Sequence, residues 1–143
     1  MGFVMITYSE DFENKLKEDF PGLFDGKDIG LWVGPGWHPI VFSLCRQIDA
    51  YVKFVNNNPD RKNLTVNVVQ IKEKFGGLRF YADGTDPYIE GMIQMAEIWA
   101  DKTCEECGAA GKPRSGGWIK TLCDVHDAER KAEYAKRFGN SAV

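Results

Sequence analysis

At 143 residues, with 43% apolar and 27% charged residues, the chain has enough hydrophobic material for one core without disulfides. Its net charge of −3 excludes the global basic field of a non-specific nucleic-acid binder. No apolar run approaches the roughly 20 residues that a membrane helix needs, and Met1–Thr7 lacks the basic stretch that opens a secretory signal.

Charge is unevenly spread. Residues 1–30 carry seven acids against three lysines, whereas residues 61–81 carry Arg61, Lys62, Lys72, Lys74 and Arg79 against Glu73 alone. An anionic partner is therefore expected at the second segment.

In chain order, Ser9 can cap a helix over about 10–20, with Phe12, Leu16 and Phe20 on its buried face. Pro21-Gly22 ends it. Residues 21–36 read as a Gly- and Asp-rich loop with a short extended piece at 29–33. Gly34-Pro35-Gly36-Trp37-His38-Pro39 then opens a helix over about 38–56, striped by Ile40, Leu44, Ile48, Val52 and Val55. Cys45, alone in that stripe, reads as a buried inert thiol. Asn56–Asp60 is a stop.

Leu64–Lys72 reads as a strand whose phase shifts at Val69, the mark of a bulge or of burial on both faces. Leu78–Ala82 reads as a second strand, and Gly76-Gly77 makes the pair a hairpin. Asp86-Pro87 starts a helix to about 101, with Ile89, Ile93, Ala96 and Ala100 as its apolar row. A last helix over about 124–138 ends at Gly139, and the tail beyond is expected to fray.

The most specific signal is Cys104-x2-Cys107-x15-Cys123-x2-His126. Three thiolates and an imidazole at this spacing complete a tetrahedral zinc shell. Gly108 suits the turn after the first pair, Ser115-Gly116-Gly117 suits a hairpin, and Cys123 and His126 fall on the first turn of the last helix. That order resembles a treble-clef zinc finger. Four protein ligands leave no open position for water, so a structural, closed Zn2+ is expected. Cysteines in metal spacing also point to a reducing, cytoplasmic compartment.

Three stretches are candidates for function. Lys72, Lys74, Arg79 and Tyr81 combine charge with a stacking ring beside two glycines, which suits a nucleotide or a single strand. The bland alternative is a solvated amphipathic hairpin. Gly34–His38 runs into a helix start and suits phosphate, with Trp37 stacking a base and His38 donating; otherwise Trp37 is a buried staple. Arg114 and Trp118 in the finger form a small recognition patch, unless Trp118 packs over the metal. No Gly-x-Ser-x-Gly elbow, His-Glu-x-x-His pair or dinucleotide fingerprint is present. A non-enzymatic role is expected, with His38 the one acid–base group on which a nucleotide-directed enzyme could rest.

Three segments together are similar to a group of small bacteriophage proteins of uncharacterised function. They are Gly36-Trp37-His38-Pro39-Ile40, Gln70–Tyr81, and Cys104–Gly108 with Gly117–His126. The resemblance spans about 36–126. It implies expression in a bacterial host's cytoplasm and a role against host defence or in host takeover, and it carries over no functional residue. The sequence thus predicts an α+β core over 1–101 and a finger over 102–143, packed as one unit. The expected function is binding of a nucleotide-type anion, possessing the character of a sequestered host immune signal. The alternatives are an inhibitor that binds a host protein through the finger, and a nucleic-acid-binding protein.

Overall fold

The computed structural model describes residues 5–139. The tail after Gly139 lies outside them. The fold is α+β, with two small antiparallel sheets and five α-helices among the described residues.

Helix α1 runs Met5–Asp19, so it starts a turn before the cap expected at Ser9. Nothing in residues 5–9 breaks a helix, and the turn simply continues upstream. Pro21 stops α1 but also begins a short helix, α2 (Pro21–Phe24), where its fixed φ fits the first position. Leu23 and Phe24 are thereby buried.

Beyond α2 lies the short extended piece expected at 29–33. Ile29, Leu31 and Val33 point into the core. Trp32 forms a parallel bridge to Lys72: its N–H donates to the Ile71 carbonyl, and its carbonyl accepts from Glu73 N–H, both at 3.0 Å. Glu13 on α1 fixes this segment, accepting from Ile29 N–H at 2.9 Å and Leu31 N–H at 2.8 Å. Burial works against the Glu13 charge. The two N–H groups and the Lys17 ammonium, 3.1 Å away, outweigh it and hold the carboxyl below its ordinary range. A depressed folded pKa contributes stability above the ordinary carboxylate value, and that stability is lost as pH falls through the folded value. Glu13→Ala strands two buried donors and should cost about 2–4 kcal/mol at neutral pH. Urea denaturation across pH checks this: the gap between wild type and variant should narrow in acid.

A 3-10 turn, Pro35–Trp37, leads into α3 (His38–Asn56). Its buried row is Val41, Leu44, Cys45, Ile48 and Val55, with Ile40 and Val52 at the margin. Cys45 is fully enclosed, and burial pushes its thiol far above the ordinary value.

Strands β1 (Asn67–Lys74) and β2 (Gly77–Asp83) pair antiparallel, with a register shift between Val68 and Gln70. The shift is a bulge at Val69, and it keeps Val68 and Ile71 on the core face. β1 starts later than Leu64 because the Asn56 side chain takes both backbone groups of Leu64, at 2.7 and 2.9 Å. The hairpin turn is Phe75-Gly76, one residue earlier than expected; Gly77 pairs with Lys74. Phe75 sits at φ 53° and Gly76 at φ 78°, the left-handed pair of a type I′ turn. A bulky residue there is strained.

Helix α4 (Pro87–Ala100) is capped by Asp86, whose Oδ1 accepts from Ile89 N–H at 2.9 Å. Its Ile89, Ile93 and Ala100 join the core formed by α1, α2, α3 and the inner face of the β1–β2 hairpin. Strands β3 (Lys112–Arg114) and β4 (Lys120–Leu122) pair antiparallel, and α5 (Asp124–Phe138) follows. Among the described residues, no helix is long and apolar enough to cross a membrane.

Candidate metal centre and its docking to the sheet

The C-terminal segment brings together Cys104, Cys107, Cys123 and His126, whose ligand atoms all lie within 4.8 Å of one another. Local backbone geometry explains why. Cys104 N–H donates to the Ala109 carbonyl at 2.7 Å and Gly108 N–H to the Cys104 carbonyl at 2.9 Å. That tight knuckle needs Gly108 at φ 83°. The β3–β4 hairpin returns the chain so that Cys123 caps α5 and His126 lies in its first turn.

Spacing within the cluster tests what it can hold. Cys107 Sγ and Cys123 Sγ are 3.8 Å apart, and His126 Nδ1 is 3.6 Å from Cys104 Sγ and 3.3 Å from Cys123 Sγ. A tetrahedral ion with bonds of about 2.3 Å to sulfur and 2.0–2.1 Å to nitrogen requires edges of about 3.8 Å and 3.6 Å. The set therefore fits a metal ion of zinc's size and preference. His126 N–H, 3.4 Å from Cys123 Sγ, draws that thiol down to about 7 against the effect of burial, and the imidazole adds to it. The other ring nitrogen, His126 Nε2, faces the Glu129 carboxylate at 3.8 Å, the outer partner expected of a metal-bound imidazole.

Arg114 does not offer itself to a ligand. Its guanidinium donates to the Leu122 carbonyl at 3.2 Å, to Asp127 at 3.3 Å and to Asp124 at 2.8 Å, clamping β3 to α5. Trp118 does not pack over the metal: it is 71% exposed. Its carbonyl, with that of Gly116, accepts from Arg130 on α5.

The Gly34–His38 stretch has a different role from the one its sequence suggests. Its N–H groups meet Glu105 of the knuckle, one at the side chain and one at the main-chain carbonyl. Gly34 N–H donates to Glu105 Oε2 at 2.9 Å and Gly36 N–H to the Glu105 carbonyl at 2.7 Å. Glu105 is buried, which raises its pKa against the Gly34 hydrogen bond, and its Oε1 finds no hydrogen-bond partner. A Cβ on Gly36 would lie 2.0 Å from the Cys104 carbonyl oxygen, so backbone packs directly on backbone here. Trp37 is 0% exposed, and its Nε1–H donates to the Thr103 carbonyl at 2.8 Å; no face remains for a base. His38 is buried too, stacked on Phe12 with ring centroids 3.9 Å apart, and burial lowers its pKa. Neither side chain can contact a solvent-borne ligand. This loop is the seat of the finger.

A second seat lies at the hairpin tip. Thr121 Oγ1 donates to the Gly76 carbonyl at 2.6 Å, and Gly76 packs closely on Ile119.

The hairpin residues do come together. Lys72 pairs with Arg79 and Gln70 with Tyr81, so all four side chains share the face opposite the core. Lys74 pairs with Gly77 on the same face, and the Lys72 ammonium lies 6.0 Å from the Tyr81 ring centroid. The Trp32–Lys72 bridge adds Trp32 to this face, 74% exposed. The row Trp32–Lys72–Arg79 thus crosses three neighbouring segments. Among the described residues, no carboxylate pairs with Lys72, Lys74 or Arg79. Trp32 escaped sequence reasoning because its partner is 40 positions away. The signal was its place between the apolar Leu31 and Val33, which turns it outward. Comparison with protein-family models, with curated proteins and with solved structures finds no match to this chain.

Proposed function

We propose that the protein binds a nucleotide-type anion on the open face of the β1–β2 sheet, and that the Cys3His centre holds a structural Zn2+. The supporting observation is the juxtaposition of Lys72 and Arg79, neither held by a carboxylate and Arg79 donating to the Leu78 carbonyl at 3.2 Å, with exposed Trp32 and Tyr81 on one sheet face. Trp32 and Tyr81 offer π-faces to a planar base; Lys72, Lys74 and Arg79 offer charge to its phosphate. Neither a histidine nor a carboxylate stands among these five residues, and the reading is binding without turnover. In the bacteriophage setting that the sequence resemblance implies, the protein sequesters a nucleotide-derived immune signal of the host cytoplasm.

Isothermal titration with cyclic nucleotides and ADP-ribose derivatives tests this. Saturable heat is expected, and Trp32→Ala should cost about 1–3 kcal/mol of binding, the usual worth of one stacking ring. Absence of heat with every member of the panel contradicts the proposal. Binding only to long single strands, with steep salt dependence, would move the protein to the nucleic-acid class.

One observation favours a second reading. Phe75, Ile119 and Trp118 expose apolar surface where the hairpin tip meets the finger, and Phe75 is held there despite its strained φ. This patch suits a protein partner, as for an inhibitor that docks on a host protein through its finger. Capture of a host protein that survives Lys74→Ala and Arg79→Ala but not Trp118→Ala would favour it.

A further inference from the structure

Helix α4 is apolar on two faces. Ile89, Ile93 and Ala100 serve the core. On the other side Tyr88, Met92, Met95 and Trp99 form a second stripe, with Tyr88 and Met95 each 62% exposed and Trp99 60% exposed. Only Glu90, Gln94 and Glu97 are polar in its 14 residues, and Glu97 is turned to β2, accepting from Phe80 N–H at 3.0 Å. A helix apolar nearly all round is normally covered nearly all round, yet here Tyr51 stacks on one face of Tyr88, with ring centroids 4.4 Å apart, and Met92 is half-buried against the core, while Met95 and Trp99 stay exposed. Between this stripe and α3 runs a groove of about 830 Å³ that no charged side chain lines.

We infer that a second copy of this chain fills the groove, α4 packing antiparallel on α4 about a two-fold axis. Three features favour a copy over another partner. The stripe is spaced four, three and four residues apart, which reads the same in both directions. A two-fold near its centre therefore brings Tyr88 against Trp99 and Met92 against Met95, as an isologous interface requires. Gly91 lies on a flank of the stripe and faces open space, so nothing on that side blocks the approach of a second helix. Finally, Tyr88, Met95 and Trp99 expose roughly 400 Å² between them, given the 150–250 Å² that one aromatic side chain can bury, and the exposed groove residues Pro39, Ser43, Gln47 and Pro87 add to it. Two copies then cover roughly 1,000 Å², the threshold for a specific interface. The uncharged lining offers nothing to a partner selected by charge.

Light scattering coupled to size exclusion, run on the metal-loaded chain from low to high micromolar concentration, tests the inference. The mass should rise from that of one 16.1 kDa chain toward twice that value. Met95→Glu should weaken association by about tenfold or more, whereas Phe54→Gln, exposed elsewhere on α3, should leave it unchanged. Register is tested separately. Tyr88→Lys and Trp99→Glu chains should each stay monomeric, and their equimolar mixture should regain the dimer, because the antiparallel arrangement sets position 88 against position 99. A monomeric mass at every concentration overturns the inference. So does a dimer indifferent to Met95→Glu, or a monomer whose groove takes up a foreign helix.

Discussion

Replacing Cys107 with serine, or stripping the metal with a strong chelator, should unfold residues 103–138 while much of the remaining core persists. The reason lies in how little else orders this segment. Strands β3 and β4 have three residues each, and α5 contributes only Asp127 to the buried set. A helix of 15 residues with one packed turn is marginal in water. A metal held by Cys104, Cys107, Cys123 and His126 would join knuckle, hairpin end and helix start, and such centres supply on the order of 10 kcal/mol of apparent folding free energy. Hydrogen exchange checks the result directly. Amides of β4 and α5 should lose protection in Cys107→Ser, while those of α3, β1 and β2 should keep most of theirs. Full protection of α5 without metal would show that packing alone holds the finger.

Gly36→Ala should be nearly as damaging by a different route. The new methyl would sit 2.0 Å from the Cys104 carbonyl oxygen, 2.5 Å from Gly108 N and 2.8 Å from Cys107 N. All three are backbone atoms of the knuckle and cannot swing aside as a flexible side chain would. Either the knuckle lifts off the loop or the loop distorts. Lifting would break the Gly36–Glu105 and Gly34–Glu105 hydrogen bonds and the Trp37–Thr103 bond. A loss of about 3–5 kcal/mol is expected, in the range of a severe core substitution. The metal ligands are untouched, so metal stoichiometry should stay at wild type while the thermal midpoint falls. Wild-type stability in Gly36→Ala would mean that the finger does not dock on this loop.

These two results bear on what the sequence could reveal. The metal ligands were legible because their chemistry is local: a thiolate pair two residues apart, then a thiolate and an imidazole on one helix turn. The helices at 38–56, 87–100 and 124–138 were legible from periodicity and from caps such as Asp86. The bulge near Val69 showed as a break in alternation. Long-range partners were not legible. Gly34–His38 has the composition of an anion-binding loop, and its Gly34 N–H does bind a carboxyl oxygen. That the carboxylate is Glu105, some 70 positions on, depends on tertiary packing that no local pattern encodes. Arg114 likewise looked free until Asp124 and Asp127 closed on it across the hairpin. Trp32 showed the opposite error: a residue of the short extended piece at 29–33, given no role, became the edge of the exposed aromatic face, because a parallel bridge to Lys72 places it there.

The consequence is a division of labour within one chain. The glycine loop and the Gly76 turn receive the finger, which leaves the outer sheet face as the surface with charge and rings to spare. Nuclear magnetic resonance mapping of a titration with nucleotides tests that division most directly. The account predicts shifts centred on Trp32, Gln70, Lys72, Arg79 and Tyr81, with the Trp32 indole moving most and Trp37 and His38 still. Shifts confined to Ser115–Trp118 and α5, or none at all across the panel, would contradict it.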